Sequence, residues 1–116
     1  MDKPMTPIME FDEPFLRKMV KIGMLGYSAQ KIINVLDIED KNAFLAAFHD
    51  TASDIAKAYQ KGLDKADFAL DIQLFNDAKS GDLKAFVLFE ERKRENLEKK
   101  KVEDIKNKTL LRRNRK

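Results

Sequence analysis

The chain has 116 residues, of which 43% are apolar and 37% charged, and it contains no cysteine. That length suits one ordinary domain, and the lack of cysteine excludes disulfides, thiolate catalysis and cysteine-ligated zinc. The formal net charge of +3 hides an asymmetry: residues 1–90 hold 11 Lys/Arg against 15 Asp/Glu, a net of −4, whereas residues 91–116 hold 12 against 5, a net of +7.

Residues 1–11 contain Pro4 and Pro7 and read as a flexible, extended arm. The first ten residues lack a basic stretch followed by an apolar one, so no signal peptide is expected. No apolar run approaches the roughly 18 residues that cross a bilayer. The expectation is a soluble, cytoplasmic protein with no membrane partner. Asp12 can cap a helix starting at Glu13, with Pro14 in the first turn, where its missing N–H costs little. Phe15, Met19 and Ile22 fall at i, i+4 and i+7, one buried face, with Arg17, Lys18 and Lys21 mostly opposite. Gly26 is the better stop of the pair Gly23 and Gly26, because glycine tolerates the left-handed conformation.

Ser28 caps a second helix with Ile32, Ile33 and Leu36 as its apolar stripe. Asp37 and Ile38 make a tight corner. Asp40 caps a third helix carrying Phe44, Leu45 and Phe48, and residues 51–53 form a short break. A fourth helix presents Ala52, Ile55, Ala56 and Tyr59 and is expected to stop at Gly62. A fifth opens near Asp64, with Phe68, Ile72 and Phe75 in register and Leu70 and Leu74 widening the stripe. Gly81 closes it, and Asp82 caps a sixth helix that starts on Leu83, Phe86 and Val87. Past Glu90 the apolar residues Leu97, Val102, Ile105, Leu110 and Leu111 are too irregular for a heptad seam. Charge pairs such as Glu95–Lys99 can support an exposed helix to about residue 105, followed by a frayed basic tail. Nothing shows the alternation of a strand.

Residues 28–48 have the form of a helix-turn-helix. A capped first helix, a tight corner and apolar residues locking two short helices at a steep angle are what that unit requires. Ile33, Leu36, Ile38 and Phe44 should share one packed knot. In the DNA-binding use of the unit the second helix enters the major groove, and Lys41 and Asn42 lie at its leading end. Asparagine can pair bidentately with adenine. Glu39 and Asp40 repel phosphate, however, and Ala43, Ala46 and Ala47 offer no readout. Two short helices with an apolar interface also occur in any helical bundle. Ser28, Gln30 and Lys31, with Arg17, Lys18 and Lys21, complete the DNA-binding set in the head. Arg112, Arg113, Arg115 and Lys116 supply phosphate contacts from the tail.

Gly26-Tyr27-Ser28-Ala29-Gln30-Lys31-Ile32 followed by Leu36-Asp37-Ile38 resembles the head of phage terminase small subunits. The likeness continues through Phe44 and Phe48, through Ala58-Tyr59-Gln60-Lys61-Gly62, and through Leu74-Phe75-Asn76-Asp77-Ala78-Lys79-Ser80-Gly81-Asp82 into Ala85, covering roughly residues 13–96. The resemblance implies a DNA-recognition component of a bacteriophage genome-packaging motor, working in the host cell cytoplasm. It would bind packaging-site double-stranded DNA with the head, assemble as a homo-oligomeric ring through the later helices, and engage the terminase large subunit. Asp37 stands where the family usually has a corner glycine, and no C-terminal strand segment is evident. Phe68, Ile72, Phe75, Phe86 and Phe89 are the expected oligomerisation residues.

The remaining chemistry is sparse. Asp64, Asp67 and Asp71 share a helical face and could hold a divalent cation, but read as a solvated face balanced by Lys61 and Lys65. His49 is the lone histidine, a poor metal site or base without a companion. No glycine-rich phosphate loop is present. The expectation is a non-enzyme with no cofactor and no metal. Its fold should be all-α: arm 1–11, helix-turn-helix head 12–50, a helical hairpin and oligomerisation region 51–105, and a basic tail 106–116. The alternative is a helical structural or adaptor protein of a phage particle without sequence-specific DNA binding.

Overall fold

The structure, a computed structural model, describes residues 12–113. Among these residues are five helices and no strand: α1 Glu13–Leu25, α2 Ala29–Leu36, α3 Lys41–His49, α4 Asp54–Lys79 and α5 Leu83–Arg113. None of them is long and apolar enough to cross a membrane. The arm 1–11 and the tail residues Arg115 and Lys116 lie outside the described residues.

The helix starts follow the capping chemistry. The carboxylate of Asp12 accepts from the Phe15 N–H at 3.0 Å, the Ser28 hydroxyl from Lys31 at 3.2 Å and the Asp40 carboxylate from Ala43 at 3.0 Å. Each satisfies a donor that the first turn of a helix leaves without a partner. The Ser53 hydroxyl accepts from the Ala56 N–H at the start of α4 while donating to the Ala47 carbonyl, joining the end of α3 to α4. Gly26 ends α1 in the left-handed region at φ 68°, its N–H reaching the carbonyls of Ile22 and Gly23 at 3.0 Å.

Two expectations fail. Gly62 does not stop a helix: it is buried inside the unbroken α4. The backbone of α4 crosses that of α1 so closely there that a Cβ on Gly62 would stand 2.0 Å from the Val20 carbonyl oxygen. A Cβ on Gly23 would stand 2.1 Å from the Tyr59 carbonyl oxygen. Both glycines are therefore demanded by helix–helix approach rather than by a turn. At the other end, α5 continues to Arg113, past the expected fraying near 105. Ahead of that stretch its surface carries the pairs Lys100–Asp104 at 2.9 Å and Lys101–Glu98 at 3.7 Å.

The chain forms two compact units that divide between Phe68 and Ala69, inside α4. The expected boundary near residues 50–53 is a break between helices, but the core of the first unit does not end there. That core is Met19, Ile22, Ile32, Ile33, Phe44, Ile55 and Ala58, so the opening turns of α4 complete it. Phe48 stacks on Phe44 with centroids 5.7 Å apart and meets Tyr59 edge-on at 4.9 Å. The Tyr59 hydroxyl donates to the Tyr27 carbonyl at 2.7 Å, tying α4 to the link between α1 and α2.

The second unit holds the end of α4, a turn and α5. Gly81 has φ 102° in the turn, and Asp82 caps α5 by accepting from the Ala85 N–H at 3.0 Å. Phe75 meets Phe89 at 5.4 Å, and Asp71 accepts from Arg92 and, at 3.4 Å, from Asn96. Ala85 is the one fully buried apolar residue of this unit among the described residues.

Candidate nucleic-acid interface

The corner between α2 and α3 is built by Asp37, which sits in the left-handed region at φ 52°, ψ 50°. Aspartate reaches this conformation at lower cost than most side chains, so the corner forms without the glycine the family resemblance implies. The Ile38 N–H returns to the Ile33 carbonyl at 3.1 Å, closing the turn. Ile33 and Phe44 are buried, and Leu36 and Ile38 are half-buried against the same core. The four residues of the expected knot therefore do pack together.

That packing fixes which side chains face outward. Lys41 and Asn42 are exposed in the first turn of α3. Glu39 and Asp40 precede them, and the Asp40 carboxylate is turned back onto the helix as its cap. On α2, Gln30 donates to the Asn34 side chain at 3.1 Å, and the Lys31 ammonium lies 4.2 Å from the centre of the Tyr27 ring. The Ser28 oxygen is occupied as a cap and is exposed. Arg17, Lys18 and Lys21 are exposed on α1, with Arg17 near Glu13 at 3.7 Å. Arg112 and Arg113 occupy the last turn of α5, in the second unit.

Two of the three aspartates on the face expected to be solvated are hydrogen-bonded: Asp64 accepts from Gln60 at 3.0 Å, and Asp71 accepts from Arg92 and Asn96. Among the described residues no group of three or more His, Cys, Asp or Glu is placed to hold a metal ion. His49 is exposed and lies edge-on to Phe48 at 5.5 Å.

Sequence reasoning missed a second basic feature of the first unit. Lys57 and Lys61 of α4 and Arg17 of α1 line one groove, with the carboxylates of Glu13 and Asp54 among them. Lys61 and Lys65, read as balancing the aspartates, make no ion pair among the described residues. The i, i+4, i+8 spacing of Lys57, Lys61 and Lys65 was visible in the sequence. Placing a helix stop at Gly62 cut the row in two.

Comparison of the chain with protein-family models, with curated proteins and with solved structures finds no match.

Proposed function

We propose that the protein is a self-associating DNA-binding component of viral genome packaging, of the terminase small subunit kind, and works without catalysis. In this reading α2, the Asp37 corner and α3 act as a helix-turn-helix. Lys41 and Asn42 meet base edges, while Gln30, Lys31, Arg17, Lys18 and Lys21 meet phosphates. The observation that carries it is the corner itself: a left-handed Asp37 over the packed Ile33, Leu36, Ile38 and Phe44, leaving the start of α3 exposed.

Assembly is supported by the second unit. Ile72 and Phe86 are 43% and 50% exposed, and Leu70 and Leu88 are 46% and 49% exposed. Residues two apart on a helix stand about 200° apart around its axis, so each helix offers apolar surface on two opposite flanks. Side-by-side, head-to-tail contact of a helical hairpin with such flanks closes into a ring when the rotation permits. Phe75 and Phe89 hold the two helices of that hairpin together through their mutual contact. The basic end of α5, including Arg112 and Arg113, is left for DNA or for the large subunit.

A second reading, a helical structural or adaptor protein of a phage particle, draws on Glu39 and Asp40 at the leading end of α3, which oppose phosphate. Anisotropy of a labelled duplex titrated with the full chain across salt separates the two. The DNA reading predicts binding that falls steeply with salt and weakens at least tenfold in Lys41→Gln/Asn42→Ala. No duplex binding at low salt would leave the adaptor reading.

A further inference from the structure

We propose that the outer face of α4 in the first unit is a separate binding site for single-stranded DNA, with Lys57, Lys61 and Lys65 on the phosphates and Phe68 under a base. These residues line, with Gln60 and Asp64, an open groove of about 640 Å³. The rotation of α4 is fixed from behind, where Ile55, Ala58 and Gly62 are buried and Gly62 lies against α1. The lysine row is therefore held outward on a rigid element.

Two features of the row need a reason. Like charges at i, i+4 destabilise a helix. Asp54 and Asp64 stand beside the row, Asp64 accepting from Gln60, yet none of the three lysines forms an ion pair among the described residues. At the end of the same row Phe68 is 68% exposed, the most exposed phenylalanine of the described chain.

A ligand that brings regularly spaced negative charge together with flat apolar rings accounts for both. The helical rise sets successive lysines about 6 Å apart along the axis, a spacing an extended nucleotide strand can follow. Single-stranded sites elsewhere combine such a cationic track with an aromatic platform on which bases stack. A duplex offers the phosphates but keeps its bases stacked on one another and out of reach of Phe68. This site is distinct from α2 and α3 and does not depend on their engaging a duplex.

The test uses the full chain and a fluorescein-labelled oligodeoxythymidine, followed by anisotropy across salt. Lys57→Gln/Lys61→Gln/Lys65→Gln should weaken binding at least tenfold and flatten the log K against log salt slope by about 2, the value for three single-strand phosphates. Phe68→Ala should weaken oligodeoxythymidine binding by about 5- to 150-fold, the range for one stacked base, and leave duplex binding unchanged. All four side chains are exposed, so thermal melting of both variants should match the parent. Lys41→Gln/Asn42→Ala should leave the oligodeoxythymidine affinity intact, which separates this site from the helix-turn-helix reading. Unchanged oligodeoxythymidine binding in the lysine variant or in Phe68→Ala overturns the proposal. So does equal binding of the parent to polyglutamate or phosphatidylserine vesicles that the same lysine substitutions abolish.

Discussion

The two units solve the problem of burial in opposite ways. Among the described residues, the first closes a core of seven buried residues drawn from α1, α2, α3 and the start of α4. The second, though it holds the 31-residue α5, buries only Ala85 fully among its described apolar residues and leaves Leu83, Phe86, Val87 and Leu88 about half exposed or more. Hydrophobic burial is the main favourable term in folding, so the first unit holds its shape by its own contacts. The second relies on Phe75–Phe89, on Asp71 with its Arg92 and Asn96 partners, and on whatever covers its flanks. Burial is thus concentrated in the first unit, and the exposed flanks of the second are where the proposed self-association would act.

Substitutions in each unit probe that contrast. The largest effect is expected from Phe44→Ala, which empties the centre of the first unit: a loss of about 3–5 kcal/mol in urea unfolding. A loss below 1 kcal/mol would mean that the first unit has no tight core. Next comes Gly62→Ala. Helix propensity alone would make alanine stabilising by about 1 kcal/mol. The crossing with α1 instead predicts a destabilisation of about 3 kcal/mol, typical of severe overpacking. The sign of the change in melting temperature decides between the two.

Asp37→Ala should cost about 1 kcal/mol, because alanine tolerates the left-handed corner less well than aspartate, whereas Asp37→Gly should cost less than the alanine change. Equal effects of the two would argue against a left-handed corner in solution. The smallest effect belongs to Leu110→Ala at the exposed end of α5, where unfolding should change by less than about 0.5 kcal/mol. A loss of several times that size would place this end of α5 against a partner.

What could be read from the sequence was mainly what side chains do locally. Caps at Asp12, Ser28, Asp40 and Asp82, the stop at Gly26 and the corner at Asp37 all follow from short-range hydrogen bonding and from φ preference. The Ile33, Leu36, Ile38 and Phe44 cluster followed from apolar spacing. The role of Gly62 did not, because glycine ends helices and also lets helices touch, and only the position of α1 distinguishes the two. The same ambiguity hid the lysine row of α4. The reach of α5 to Arg113 is not legible in the sequence, because its apolar residues follow no stripe. Lys41 and Asn42 could be placed at the start of α3 from the cap alone.

The division of labour between the units is tested most directly by a native mass spectrum of the full chain, taken with and without duplex DNA. One discrete assembly of several copies is expected, retained when duplex is added and reduced to single chains by Ile72→Asp/Phe86→Asp, whose first unit stays folded. A parent protein that remains a single chain at every concentration, with or without duplex, would contradict it.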